Sequence, residues 1–259
     1  MSKKRQDAIL DPRPLAGARA ATLSHAYASG HIVPPHFHRE DQILHGISGV
    51  MAVTTSDGLW VVPPSRAVWI PANTIHTIQM WGAFTMKTLY FKPRLVRSLG
   101  RQCCLINVSP LLRELLLEAC RVAPLRGKNR SHARMIDVIV DQLQASPFVP
   151  LQLPMPSDER ATKLAALLLA DSSDERPLGA LCGKCGASKR TMERLFRQET
   201  GFSLGRWRRQ ASLARAAQLL AFGCKVTSVA LELGYRSPSA FIAMFKRTLG
   251  TTPAKYLES

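Results

Sequence analysis

The sequence predicts an α+β chain of two domains, in which a front half of short β-strands forms a small barrel and the back half is all-α. Two observations predict this class. Apolar residues alternate over short runs separated by turn signals as far as residue 91, and beyond residue 109 they recur at helical spacing. A chain of 259 residues with 46% hydrophobic content is long enough to build two cores.

A β-hairpin is the clearest element of the front half. Residues 50–55 and 59–62 are rich in β-forming side chains, and Ser56-Asp57-Gly58 separates them. An Asp-Gly pair supplies the positive dihedral angles of a tight turn. Further strands are predicted at 67–70, 77–81 and 85–91, and short strands at this spacing favour a sandwich or a small barrel.

A segment bounded by two glycines carries a His-x-His pair. His36, His38 and Gln42 lie between Gly30 and Gly49. On an early strand, the two histidines share one face because side chains alternate with a period of two.

A second segment, residues 71–76, ends in His76. The two segments resemble the paired motifs of the cupin family over about residues 20–92, with Gln42 where cupins carry Glu and Asn73 where they carry Gly. The resemblance implies a cupin-like β-barrel, which we assign to residues 14–97.

The four polar side chains of this barrel allow two interpretations. His36, His38 and His76 can present three imidazoles to a divalent metal, with Gln42 as a weak neutral ligand. An amide does not offset the charge of a cation as a carboxylate does. The other interpretation is therefore a pocket that binds a small effector without metal.

Two amphipathic helices are predicted within residues 98–146. Apolar residues recur at i, i+4 spacing over 111–120 and 135–143, and Pro110 suits a helix start. The apolar faces can form a homodimer surface or pack on their own barrel, and the sequence leaves both open. Residues 147–156 contain four prolines and are predicted to form a stiff linker.

The back half, residues 157–259, contains a repeat. Its first helix is predicted to start at a Ser157 cap. Beyond it, Cys182–Arg197 returns as Ala230–Lys246 with one residue inserted. Each copy is typical of a short helix, a glycine turn, a Ser N-cap and a second helix, which predicts helix-turn-helix units at 178–199 and 226–249.

The charge of the chain favours a nucleic-acid partner. The formal net charge is +17, and between residues 184 and 215 nine Lys and Arg residues face only Glu193 and Glu199. A local excess of this kind is a footprint for a polyanion.

Residues 157–259 resemble the DNA-binding domain of AraC/XylS-type transcription regulators. A cupin-like sensor ahead of that domain matches the common architecture of the family. The motifs that carry the resemblance are Ser188-x-Arg190, Arg194-Leu195-Phe196, Thr200-Gly201-Phe202-Ser203, Ala216-x-x-Leu219-Leu220, Val229-Ala230-x-x-Leu233-Gly234-Tyr235, Phe241-x-x-x-Phe245-Lys246 and Gly250-Thr251-Thr252-Pro253.

The resemblance implies a sequence-specific transcription regulator, an activator or a repressor, that binds double-stranded promoter DNA and responds to a small-molecule effector. RNA polymerase is a further partner if the protein activates. The alternative is a metal-dependent cupin enzyme tethered to a DNA-binding domain. Gln42 in the acidic position and the lack of a carboxylate partner for His76 favour a sensor that is not an enzyme.

Helix position predicts the roles of the DNA-binding residues. In the first unit Arg190 and Arg194 are candidates for guanine edges, Arg197 for phosphate and Glu193 for cytosine. The corresponding face of the second unit is small and nearly uncharged, and is predicted to contact phosphates and thymine methyls. The remaining candidates are Ser188, Arg236, Ser237, Ser239 and Lys246.

The cysteines and the chain start suggest a cytoplasmic protein. Cys182 and Cys185 have a C-x-x-C spacing but no second pair nearby, so they are predicted to be buried core thiols. No apolar run is long enough to span a membrane, and residues 1–6 are basic without the apolar segment of a secretory signal.

Overall fold

The structure, a computed structural model, describes residues 19–125, 128–146, 148–149, 152–170 and 176–256. The chain divides into two compact units. Among the described residues, the first unit is made of 19–55 and 62–149 and the second of 56–61 and 152–256. Residues 14–18 of the predicted barrel, residues 147 and 150–151 of the predicted linker and residues 171–175 and 257–259 of the predicted DNA-binding domain lie outside the described residues.

The first unit is built on antiparallel strands. They follow the order β1-β6-β3-β5-β7-β8, and β2 pairs with β6. The strands are β1 (Ala20–Tyr27), β2 (Ile32–His36), β3 (Asp41–Thr55), β5 (Arg66–Ile70), β6 (His76–Phe91), β7 (Cys104–Asn107) and β8 (Phe148–Val149). Strand β4 (Gly58–Val62) follows β3 in the sequence, and its residues 58–61 belong to the second unit.

Two strands predicted at 77–81 and 85–91 are a single strand, β6. The prediction of a break was wrong because the ladder between β3 and β6 passes through register shifts between Gly46 and Val50 and continues beyond them. Gly49 has φ 71°, and a Cβ there would lie 2.8 Å from the Ala83 carbonyl oxygen. Glycine at this bulge lets two long strands bend without separating.

Two helices follow, α1 (Pro110–Arg121) and α2 (Arg130–Ala145). The Ser109 hydroxyl accepts from the Leu112 N–H, and the Asn129 side chain caps α2. Their buried faces share one core with the sheet, so the predicted packing on their own strands is realised. That core includes Ile43, Trp69, Leu89, Phe91, Leu112, Leu116, Ile136, Ile139 and Leu143.

The second unit is helical, which confirms the α+β class. Its helices are α3 (Glu159–Ala170), α4 (Leu178–Lys184), α5 (Lys189–Thr200), α6 (Leu204–Ala221), α7 (Val226–Glu232) and α8 (Pro238–Leu249). The residue that caps α3 is Asp158 rather than the predicted Ser157. The Asp158 carboxylate accepts from the Arg160 N–H at 3.0 Å and so satisfies a donor that the helix itself leaves free.

The repeat in the sequence is a repeat in the packing. Phe196 and Trp207 meet edge to face at 5.2 Å between ring centroids, and Phe245 and Tyr256, 49 positions later, do the same at 5.2 Å. The turn between the paired helices is also conserved within the chain, because Gly186 and Gly234 adopt φ 77° and φ 75°. The two copies therefore fold by the same local rules.

The predicted linker contains a strand. Residues Gln152–Pro154 form β9, which pairs antiparallel with β4, and Leu153 is buried beside Leu164 and Trp207. The Trp207 indole N–H donates to the Pro154 carbonyl at 2.7 Å. Residues 152–154 thus belong to the second unit.

The C-x-x-C cysteines are buried free thiols, as predicted. Cys182 and Cys185 are 0% and 5% exposed and pack in the core of the second unit. Burial raises the pKa of both thiols, which keeps them protonated.

A pair of glycine substitutions separates backbone strain from packing in the first helix-turn-helix. Neither Gly183 nor Gly186 has an atom within 4 Å of a Cβ added to it. Gly186→Ala is expected to destabilise the protein by about 1 to 2 kcal/mol because an L-residue is strained at positive φ. Gly183→Ala, inside α4, is expected to stabilise it by about 0.5 to 1 kcal/mol. Urea midpoints measure both, and shifts of the same sign would contradict the assignment of these two conformations.

Candidate functional site

Three histidines of the first unit come together. His36 ends β2, His76 begins β6, and the two are direct partners across the antiparallel pair. His38 follows β2. One ring nitrogen of each lies within 4.8 Å of the others, and the closest rings, His36 and His76, have centroids 4.2 Å apart.

Backbone carbonyls fix the tautomers of two of these rings. His36 Nδ1 lies 2.8 Å from the Pro34 carbonyl oxygen, and His76 Nδ1 lies 2.9 Å from that of Thr74. A carbonyl oxygen only accepts, so each Nδ1 carries the proton and each Nε2 keeps a free lone pair. The buried Nε2 atom of His76 has no hydrogen-bond partner among the described residues.

The cluster is neutral at physiological pH. Burial, together with the neighbouring His36, lowers the pKa of His38 to about 4. Burial likewise lowers the pKa of His76 to about 4, against the opposing effect of the Thr74 carbonyl. The pKa of His36 is also lowered by burial. Unprotonated imidazoles are available as hydrogen-bond acceptors and as metal ligands.

Gln42 is 2% exposed, and only one of the two polar groups of its side-chain amide is hydrogen-bonded among the described residues. Its side-chain NH2 donates to the Thr88 hydroxyl at 3.1 Å, whereas Oε1 is buried without a partner among the described residues. Gln42 is the register partner of Tyr90, whose ring lies 4.9 Å from that of His38. Tyr90 thus pairs with Gln42 in the sheet and also packs against His38.

The donor set fits the divalent metal that the cupin resemblance implies. His76 Nε2 and Gln42 Oε1 are buried atoms without a hydrogen-bond partner among the described residues. An unsatisfied polar atom in a core costs free energy. Neutral imidazoles suit Zn²⁺, Ni²⁺, Cu²⁺ and Fe²⁺. The same atoms can accept hydrogen bonds from an organic ligand.

Large apolar side chains adjoin the histidines in sequence and are exposed. Phe37, between His36 and His38 in the sequence, and Ile75, before His76, are 56% and 64% exposed. Exposed apolar side chains of this size are available for contact with a ligand or a partner.

Helix α5 presents a basic face in the second unit. The Ser188 hydroxyl caps it by accepting from the Thr191 N–H at 3.2 Å. Met192, Leu195 and Phe196 are buried, as their spacing predicted. Four basic side chains are exposed, and none makes an ion pair with another described residue: Lys189, Arg190, Arg194 and Arg197.

Two of the residues predicted to bind DNA in the first helix-turn-helix make hydrogen bonds within the protein. Arg194 donates to the Gln198 amide oxygen at 3.1 Å, which leaves the guanidinium exposed. Glu193 has a structural contact instead, because its Oε2 accepts from the Leu204 N–H at 3.2 Å at the start of α6. A cap of this kind competes with the predicted contact to cytosine.

The second helix-turn-helix has a less charged exposed face than the first, as its sequence predicted. Ser237 caps α8 by accepting from the Ala240 N–H at 3.2 Å. Arg236, Ser239, Ala243 and Lys246 are exposed. Only Arg236 and Lys246 among these offer charge to a phosphate.

Several contacts that hold the two helix-turn-helix units were not predicted. Arg215 on α6 donates to Glu232 on α7 at 2.8 Å. The Glu199 Oε2 accepts from the Ser157 and Asp158 N–H groups at 2.7 and 3.0 Å. These partners are 17 and about 40 positions apart in sequence, so no local pattern indicates them.

The folds and sites described above define a regulator with a ligand-binding unit and a DNA-binding unit. The family described as "AraC-like ligand binding domain" matches residues 20–154, more than half of the chain. The family described as "Helix-turn-helix domain" matches residues 181–259. The chain belongs to the AraC family of transcriptional regulators.

Known relatives agree with this assignment. The HTH-type transcriptional regulator NimR of Escherichia coli K12 is 34% identical over 240 residues, which cover 93% of this chain and 88% of that protein. RipA of Corynebacterium glutamicum is 31% identical over 103 residues, 40% of this chain and 31% of its own. A crystal structure of fatty-acid-bound ToxT from Vibrio cholerae is 14% identical over 93% of this chain and 95% of that one, at a TM-score of 0.39, too low to support an argument.

Among the described residues, no helix is both long enough and apolar enough to cross a bilayer.

Substitution of Glu193 distinguishes its two roles. If the carboxylate caps α6, Glu193→Ala is expected to destabilise the protein by about 1 kcal/mol, since the Leu204 N–H loses its acceptor. Base preference should then stay unchanged in a panel of single-base operator variants. Asp141→Ala, which removes an exposed carboxylate from helix α2 of the other unit, is the control. A change of preference at one base, with an unchanged urea midpoint, would instead assign the Glu193 carboxylate to the contact with cytosine.

Proposed function

We propose that the chain is an effector-responsive regulator in which the cluster of His36, His38, Gln42 and His76 receives a small molecule. The observation that carries this proposal is the convergence of three neutral imidazoles within 4.8 Å, inside the region that matches a ligand-binding family. A buried cluster of unpaired acceptors has no packing benefit by itself, because unsatisfied polar atoms are costly. A bound partner supplies the missing interactions.

The first helix-turn-helix carries most of the sequence specificity in this proposal. Arg190 and Arg194 present forked donors that match the O6 and N7 acceptors of guanine, and Arg197 lies one turn further on, suited to phosphate. Ser188 positions the helix through its cap. The second helix-turn-helix contributes phosphate contacts through Arg236, Ser237 and Lys246 and a small surface at Ser239.

We assign the DNA-binding domain to residues from 152 onward. The core of the second unit includes Leu153, and the Pro154 carbonyl accepts from Trp207. A fragment that begins at residue 157 lacks both contacts. The sensor then comprises the strands up to about residue 97 with the helices of 98–146.

Two substitutions rank the reading faces. Arg194→Ala is expected to cost about 1 to 3 kcal/mol of operator affinity and to relax the preference at one base, because a bidentate donor is lost. Ser239→Ala should leave base preference unchanged. Binding to operators selected from random DNA, and to their single-base variants, measures both. Equal losses in the two variants would overturn this ranking of the units.

Histidine substitutions test the effector pocket. His38→Ala and His76→Ala are expected to leave operator affinity unchanged, since the reading helices belong to the other unit. They should abolish the change in DNA binding that a small-molecule extract of the host cells produces in the wild type. His31→Ala is the control, an exposed histidine of the same unit outside the cluster. A response that survives both substitutions removes the cluster from the mechanism.

Metal content distinguishes the two forms of the pocket. The imidazoles of His36, His38 and His76 would hold the ion, which would supply a Lewis acid for a ligand oxygen or nitrogen. In that form the protein takes up one Co²⁺ per chain after dialysis, His76→Ala takes up none, and Gln42→Glu binds it more tightly because a carboxylate adds negative charge. No uptake by the wild type selects the pocket without metal.

The remaining partners follow from the regulatory role. The relatives NimR and RipA are regulators of transcription, and we propose that this chain likewise catalyses no reaction. Promoter DNA is its target in the cytoplasm, and RNA polymerase is a partner if it activates. Leu111 and Val138, exposed on the sensor helices, are candidates for a homodimer contact.

A further inference from the structure

We infer that the first unit contains a second ligand site, a cleft that binds a small oxyanion such as a carboxylate or a phosphate ester. The cleft has a volume of about 540 Å³, which is within the range of small-molecule sites, roughly 300 to 1,000 Å³. It is lined by Arg94, Arg97 and Arg101 on one segment and by residues 71–73 on another. None of these residues belongs to the imidazole cluster.

One buried carboxylate holds both walls of the cleft. Asp41 is 7% exposed, and its Oδ1 accepts from the Ala72 N–H at 2.9 Å while its Oδ2 accepts from the Arg94 N–H at 2.8 Å. Both oxygens are thus committed to the backbone of the two segments. The walls are fixed before any ligand arrives, which lowers the entropy cost of binding.

Backbone strain is concentrated at the same place. Among the described residues, the non-glycine residues with positive φ are Asn73, at 63°, and Arg94, at 67°, and both line the cleft. Such a conformation is unfavourable for a residue with a side chain and persists only where surrounding contacts impose it. The contacts to Asp41 and the bond from the Asn73 N–H to the His38 carbonyl at 2.7 Å supply that constraint.

The charge of the cleft favours an anion. Three guanidinium groups face one carboxylate, and that carboxylate is already hydrogen-bonded twice. Arg94, Arg97 and Arg101 are exposed and make no ion pair with any other described residue. Guanidinium groups bind carboxylate and phosphate through paired N–H donors, with affinity and directional specificity that a lysine lacks.

A small molecule fits the cleft better than a DNA backbone. A phosphate chain needs basic residues spread along an extended track, whereas these arginines lie within eight positions of one another around a bounded volume. The wall formed by residues 71–73 continues in the chain to Thr74, whose carbonyl oxygen accepts from His76 Nδ1 in the imidazole cluster. An anion in the cleft therefore lies one short loop from the proposed effector pocket.

Calorimetric titration of the full chain tests this site, with citrate and inorganic phosphate as probes at an ionic strength held constant with KCl. Saturable binding of either probe at one site per chain is expected, and the stronger of the two identifies the ligand as carboxylate or phosphate. The double variant R97Q/R101Q is expected to weaken that binding by about tenfold or more, because two charge-assisted contacts are lost. The variant R97K/R101K, which keeps the charge and loses the forks, should fall between them.

The control is K128Q/R130Q, which removes two exposed positive charges from the same unit outside the cleft. Circular dichroism confirms that each variant is folded. The site is overturned if neither probe binds saturably, or if the control weakens binding as much as R97Q/R101Q does, which would reveal only the attraction of the +17 net charge. It is also overturned if R97Q/R101Q leaves anion binding intact and lowers the affinity for every DNA sequence equally, which would make the cleft a DNA phosphate contact.

Discussion

The second unit depends on the burial of one indole ring. Trp207 is 0% exposed, packs edge to face on Phe196 and donates its N–H to the Pro154 carbonyl. It thereby joins three elements at one point: strand β9, the recognition helix α5 and the helix α6 that leads to the other repeat. A side chain of this size contributes both apolar area and a satisfied polar group. In the proposed mode of DNA binding, the orientation of α5 follows from this contact, because the buried face of the helix decides which arginines remain exposed.

The two helix-turn-helix units share the same buried core positions and differ in their exposed surfaces. Tyr256 takes the place of Trp207 and Ala230 that of Cys182, and in both pairs the side chain stays buried. The exposed positions have diverged instead, since α5 carries arginines where α8 carries small residues. Packing restricts a core position to a narrow range of volumes, whereas a solvent-exposed position is free to change its charge. The proposed asymmetry in base recognition between the two repeats follows from this difference in constraint.

Local patterns predicted most elements, and long-range contacts decided the rest. The hairpin of β3 and β4, the paired helix-turn-helix units and the meeting of His36, His38 and His76 all follow from spacing within short segments or from a family resemblance. The predicted Asp57-Gly58 turn was wrong in detail, because the turn residues are Ser56 and Asp57, Asp57 has no positive φ and Gly58 begins β4. The roles of Asp41 and Glu193 do not, because their partners Arg94 and Leu204 lie 53 and 11 positions away. The same holds for β6, whose continuity depends on a bulge opposite Gly49 in another strand. A polar side chain near a turn can form hydrogen bonds with many different groups. Only the tertiary fold determines which of these hydrogen bonds is made.

If both repeats bind DNA as proposed, the length of helix α6 sets the spacing of the two DNA segments that they contact. Its 18 residues span about 27 Å at 1.5 Å per residue, and nine of them are buried, so it behaves as a stiff rod between the repeats. Successive major grooves on one side of B-DNA are about 34 Å apart. A rod of this length lets both repeats meet the same side of the duplex. A promoter can therefore drift by base substitution beneath the second repeat, but an insertion of half a helical turn between the two contacted segments carries one of them to the far side, where a rigid connector does not reach.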